Sequence, residues 1–246
     1  MLNHIFSTRR PWLARAAVLC AALLAGGCAG LNEYLAAGGG TAGQNGSSSH
    51  LATAVRQTLE ISSERATTAL SQPGGYGDDP LLRLALPSEV NQVTSALRQF
   101  GLGQHVDRLE ASMNAGAEQA AGEAAEVFLT TIRGMSISDA LGIVRGGDTA
   151  ATSYFREQTE ATLRQRYQPI IRSNLEQVGF YDQYRLVVDV YNSLPISGRL
   201  NLDLERYVLD RSLDGLFTRM AAEEQQIRRD PLGRGGELIN AIFTRQ

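Results

Sequence analysis

The 246-residue chain carries 23 basic and 26 acidic residues, for a net charge of −3, and 43% of it is hydrophobic. That suits one globular domain of ordinary size plus a tail, with a core large enough to need no covalent staples. Every basic residue is arginine, which excludes lysine Schiff bases and lysine nucleophiles, and the acidic balance argues against non-specific nucleic-acid binding.

The chain opens with a targeting pattern. Arg9, Arg10 and Arg15 form a basic start, and residues 16–27, AAVLCAALLAGG, form an apolar run too short to span a bilayer comfortably. The run ends in LLAGG before Cys28, which resembles the bacterial lipoprotein signal. That resemblance implies cleavage after residue 27 and a diacylglycerol on the Cys28 sulfur. It departs from the commonest pattern in having Ala25 three places before the cysteine, with Leu24 one place earlier; an ordinary secretory signal is the alternative. Ala29 rather than Asp after Cys28 points, by the same resemblance, to the outer membrane facing the periplasm. TRRPWL (8–13) also resembles part of a twin-arginine export signal, so the export route stays open. After cleavage Cys20 is gone and Cys28 is acylated, leaving no free thiol and no disulfide. Loss of the three arginines brings the net charge to about −6.

Residues 28–49 are rich in Gly, Ser and Ala without apolar periodicity and read as a flexible tether. From His50 to about 70 the pattern is helical, with Ser48 or Ser49 as a cap. Residues 71–80, SQPGGYGDDP, read as a loop, and 81–87, LLRLALP, as a short strand or extended segment. Helices are expected at 88–100, 103–133, 137–145, 148–175, 181–193, 202–229 and 235–244. Asp148 is a start signal, Gly101, Gly134, Gly146 and Gly179 are stops, and Pro169 is expected to kink or break its helix. Strands and helices do not alternate and no solenoid repeat occurs, so the expected fold is one all-α multi-helix domain over 50–246. Periodicity assigns its core to Val106, Leu109, Val127, Phe128, Ile132, Leu141, Ile143, Phe155, Leu163, Leu186, Val190, Leu213, Leu216, Phe217 and Ile242.

One helix carries an unusual stripe. In GGDTAATSYFREQT (146–159), Thr149, Thr152, Arg156 and Thr159 recur at positions where Leu or Ile is normal. At 100° per residue they form a strip between a core side (Ala150, Ala151, Tyr154, Phe155, Ala161) and a solvent side (Ser153, Glu157, Glu160, Arg164). Two readings follow. The strip is a helix contact with Arg156 in a buried ion pair, or it lines a polar pocket where Arg156 binds an anion beside threonine hydroxyls. Asn114 and Glu118 stand i, i+4 on a helix of small residues that permits close approach or borders a cavity. Asp214 precedes Gly215, and Glu224 with Arg228 makes an i, i+4 pair.

These segments together resemble the bacterial domain of unknown function family 4197. The resemblance rests on MNAGAE (113–118), SDA (138–140), GGDTAATSYFREQT, QPII (168–171), LDGLF (213–217) and EEQQIRRDPLGR (223–234), and spans about 50–245. The chain departs from the family pattern at Ala115–Gly116 and at Gly235–Gly236. The resemblance implies an α-helical, secreted or lipid-anchored protein and brings no activity with it. It marks the 146–159 stretch as a family hallmark, which favours the pocket reading; the hallmark residues can equally be structural, with Asp148 as a cap, Gly215 for close packing and Arg156 in a buried pair.

Two functions compete. The first is a non-enzymatic envelope lipoprotein, held to the membrane by its N-terminal lipid, that binds an envelope protein, a lipid or a cell-wall component. The second is a carboxylate-based hydrolase, or a binder of a small anionic ligand, using Glu118, Asp148, Asp214 and Glu224 around Arg156 or Arg228. The chain has no nucleophile elbow, phosphate loop, zinc-protease motif or calcium loop, and no cofactor or metal is expected.

Overall fold

The computed structural model describes residues 43–177, 179–193, 203–231 and 233. It divides into two compact units, Met1–Ser48 and Ser49–Gln246. The signal, Cys28, most of the tether, the helix expected at 235–244 and Ile242 lie outside the described residues. Among the described residues the secondary structure is helical, without strands: α1 (Gly43–Ser71), a 3₁₀ turn (Ser88–Val90), α2 (Asn91–Gln99), α3 (Gly103–Ala121), α4 (Ala124–Gly134), α5 (Ile137–Arg145), α6 (Ala150–Gln177), α7 (Phe180–Ser193) and α8 (Leu204–Arg229).

Two boundaries differ from expectation. α1 starts at Gly43, inside the stretch assigned to the tether. Once an amphipathic helix is nucleated, each further residue adds a hydrogen bond, so weak formers upstream can join it. The helix expected at 103–133 is two helices, separated at Gly122–Glu123 by a turn in which Glu123 N–H donates to Ala120 C=O. α5 then leaves the line of that pair at 108°. Its start is a capping box: Ser136 Oγ accepts from Asp139 N–H, and the Asp139 carboxylate accepts from Ser136 N–H.

α6 is the central helix, packed most extensively by α3 and α8 and further by α4, α5 and α7. Its buried side chains recur every four residues from Ala151 through Phe155, Thr159, Leu163, Tyr167 and Ile171 to Leu175. That row makes a ridge long enough to organise the bundle. The helix runs unbroken through Pro169, which is exposed; the carbonyl that loses its donor there can bond to water. α8 is capped by Asp203, whose carboxylate accepts from Arg206 N–H, and it ends on Arg228 and Arg229, which favour the negative end of the helix dipole.

The core lies where α4, α6 and α8 converge. Phe128 meets Phe155 at a centroid distance of 5.1 Å and Phe217 at 6.3 Å. Eleven of the residues assigned to the core from periodicity are buried; Leu141 is half-buried. Leu186 is a correction: it lies 36% exposed on α7. The side chain of Val190 is outside the described residues.

In the segment 81–87, residues 81 and 82 belong to a turn, and 83–87 have no regular secondary structure and pair with no strand. Side chains of α3 meet the backbone of Leu84 and Leu86, and Tyr207 of α8 donates to Ala85 C=O, which is how an irregular segment can be buried at all.

Candidate functional site

The residues singled out from sequence fall into three separate places. The first is the elbow between α5 and α6. The Glu224 carboxylate, on α8, accepts from Ala151 N–H and Thr152 N–H, both at 2.9 Å, and from Thr152 Oγ1 at 2.9 Å. These are orphan donors of the first turn of α6, so Glu224 caps that helix from across the fold. Arg228 completes the arrangement: Nε and Nη2 donate to Glu224 Oε1 at 3.1 and 2.9 Å, and Nη2 also donates to Ile143 C=O at 2.8 Å, in the last turns of α5. One ion pair therefore satisfies the positive end of α6 and the negative end of α5. Both side chains are nearly buried, 12% exposed for Arg228 and 10% for Glu224. Asp148, expected as the cap, is exposed, and Glu224 takes that role.

The second place is the face between α6 and α8. Thr152 and Thr159 are both buried, and Thr159 lies on the ridge itself with no exposure. This corrects the expected strip between core and solvent. Thr159 fits because its hydroxyl donates to Phe155 C=O at 2.6 Å within its own helix, so the side chain offers a methyl to the core. Ala161, expected on the core side, is exposed. Arg156 is also a correction, since it is not buried: 44% of its side chain is exposed. It pairs with Asp214 at 2.5 Å and with Glu160 at 3.6 Å, and its guanidinium lies 4.8 Å from the Phe217 ring centroid. Arg164 pairs with Asp210 and Glu160, and Arg172 with Glu205. Arginines at 156, 164 and 172 thus stitch α6 to α8 along one edge. Beside Arg156 is a shallow, open hollow bordered by Thr149, Thr152, Ser153, Arg211, Asp214 and Thr218.

The third place is the loop over α3. Glu118 Oε1 accepts from Tyr76 N–H and Gly77 N–H, both at 3.1 Å. Asn114 Oδ1 accepts from Leu84 N–H at 2.9 Å, while Nδ2 donates to Leu84 C=O at 2.8 Å and to Glu110 C=O at 2.7 Å. Asn114 thereby serves the Leu84 backbone as a neighbouring strand would. Glu110 Oε1 accepts from Leu86 N–H at 3.1 Å. The loop's central side chain, Tyr76, is completely buried, and its hydroxyl donates to Ser212 C=O at 2.7 Å. Burial, reinforced by the Glu118 charge, pushes the Tyr76 phenol well above its ordinary pKa, so it stays a neutral donor. Sequence reasoning missed Tyr76 and Glu110. An aromatic residue between glycines in GGYG was the available signal, since a solvated turn has no use for a large ring.

Glu118, Asp214 and Glu224 are held by different partners, Asp148 is exposed, and the four do not converge on one another. Among the described residues, no three His, Cys, Asp or Glu side chains come together as a metal would require. No single helix among them is long and apolar enough to cross a membrane.

A family model described as protein of unknown function (DUF4197) matches residues 45–244. Neither a curated protein nor a solved structure matches the chain.

Proposed function

Since the chain belongs to the DUF4197 family, whose description carries no activity, we propose from its own residues that it is a lipid-anchored protein of the bacterial envelope. It acts there as a non-enzymatic binding module. The anchor is Cys28, and the destination is the outer membrane, facing the periplasm. The observation that supports a binding rather than a catalytic role is the use made of the polar residues. Glu224 and Arg228 fasten the α5–α6 elbow, Asn114 and Glu118 hold the 76–84 backbone, and Asp214 neutralises Arg156. Acid–base catalysis needs two carboxylates facing one substrate bond, and these are tied to separate structural tasks. The hollow beside Arg156, with Arg211 and several hydroxyls on its rim, favours a small anion as a second reading. Asp214 opposes it by already holding the guanidinium.

The anchor is tested by growing cells with an alkyne analogue of palmitate and fractionating the envelope. The wild-type chain is expected in the membrane fraction with label, and the Cys28→Ala chain soluble and unlabelled. An unlabelled wild-type chain would refute the anchor.

A further inference from the structure

We infer that the hollow between α6 and α8 binds a small hydroxylated oxyanion, such as a polyol phosphate or a sugar acid, and that Arg211 rather than Arg156 anchors it. This rests on the small-anion reading of that hollow and names the class of anion. The hollow is open and offers about 450 Å³, enough for a ligand of that size. Two other shallow hollows on the described surface are acidic. Over α3, Asp78, Asp107 and Glu118 outnumber Arg83, and between α5 and α6 the border carries Asp139 and Glu157 with no cation. Here the sign is reversed, with Arg156 and Arg211 against Asp214. On a chain of net charge −3, a concave surface of surplus positive charge is where anions collect.

The surplus charge is Arg211. Asp214 holds Arg156, Asp210 holds Arg164, and Glu160 is shared between those two arginines. Arg211 is exposed and has no ion pair or side-chain hydrogen bond among the described residues. Its guanidinium therefore keeps a planar fork of donors for the edge of a phosphate or a carboxylate. Asp214 occupies Arg156 and leaves Arg211 untouched.

The opposite end of the hollow is uncharged. The ion pairs join rising positions on α6 to falling positions on α8, so the two helices run antiparallel. Thr218 accordingly lies toward Thr149 and Ser153 at the start of α6, and Arg211 lies on the other side of Asp214. The Thr152 hydroxyl is spent on Glu224 and the Ser153 hydroxyl on Thr149 C=O. The hydroxyls of Thr149 and Thr218 bond to no described residue and face solvent beside the hollow. Arg211 and Thr218 stand two turns apart on α8, about 10 Å along its axis. Inorganic phosphate is too short to engage both ends. A hydroxylated body carrying one oxyanion reaches from the guanidinium to the threonines.

The test is isothermal titration of the purified chain at low salt with inositol monophosphate and with glucuronate, set against inositol and inorganic phosphate as half-ligands. Saturable binding of at least one full probe is expected, at least fivefold tighter than either half-ligand. The stronger of the two probes tells whether phosphate or carboxylate is preferred, and displacement by phosphatidylinositol vesicles tells whether a lipid head group or a free solute is the source. Arg211→Gln is expected to weaken binding at least tenfold, and Thr218→Val severalfold, with circular dichroism unchanged because both side chains are exposed. Absence of saturable binding of both full probes overturns the proposal, as does binding that Arg211→Gln leaves unchanged. Inorganic phosphate bound as tightly as inositol monophosphate also overturns it, while the small-anion reading stands; failure of all three anions to bind sinks both.

Discussion

Glu224 accepts five hydrogen bonds, three from the start of α6 and two from Arg228. Removing a carboxylate from a buried pair strands its partner, here Arg228 together with two backbone N–H groups. Glu224→Ala is therefore expected to destabilise the protein by about 3–5 kcal/mol, read from the midpoint of urea unfolding. Arg156 belongs to a different class. Its pair with Asp214 is solvent-screened, and its stacking on Phe217 adds a modest cation–π contribution. Arg156→Ala is expected to cost about 1 kcal/mol, much less than a buried pair would imply. Equal effects of the two substitutions would contradict this assignment. Asp139 provides a pH signature. Hydrogen bonds from the Ser136 hydroxyl and N–H hold its carboxyl below the ordinary value. A depressed folded pKa means that its contribution is full above the unfolded carboxyl pKa and is lost as pH falls through the lowered one. NMR titration of the Asp139 carboxyl is expected to give a midpoint below that of the Asp139 carboxyl in the unfolded chain; a midpoint at or above it would refute the capping box in solution.

Among the elements, α3 and α8 both contain a glycine facing a neighbour, but the two positions differ. A Cβ on Gly215 would lie 2.5 Å from Tyr76 Cε1. The ring is locked by burial and by its bond to Ser212, so Gly215→Ala is expected to cost about 1–3 kcal/mol through overpacking. A Cβ on Gly116 would meet Asn174 Cβ at 3.7 Å, an ordinary contact. Gly116→Ala is expected to stabilise by roughly 0.5–1 kcal/mol, because the helix interior gains a better former at no steric expense. Thermal melts of the two variants should move in opposite directions; a destabilised Gly116→Ala would mean that α6 lies closer to α3 than described. The end of α2 shows how local sequence sets such elements. Gly101 has φ +76°, Leu102 N–H donates to Leu97 C=O at 2.8 Å, and Gly101 N–H donates to Arg98 C=O at 3.2 Å. Those two bonds make a Schellman stop, which glycine permits without strain.

Across the molecule, the loop after α1 is an interior part of the fold. Tyr76 passes between α3 and α8, and its hydroxyl reaches a carbonyl of α8. Tyr76→Phe is expected to lose about 1 kcal/mol, with little change in the fold. A loss near zero in urea titration would mean that water replaces the bond. The helical class was legible because amphipathic periodicity and caps operate within one or two turns. The stop at Gly101, the span of α5 and most of the core follow from patterns of that range. The polar site was less legible. The sequence isolates Thr152, Arg156, Asp214 and Glu224 as out of place, but their partners stand dozens of residues away, and burial separates an interior cap from an exposed pair. By itself, then, the chain determines an all-α domain, its principal helices and its family, since these depend on local spacing and on motifs in order. Only the tertiary structure decides that Glu224 rather than Asp148 caps α6, that Thr159 is core and Arg156 is edge, and that Tyr76 fills the gap left at Gly215. Each of those depends on which helix faces which, and contacts between distant segments fix that through the packing of whole helices.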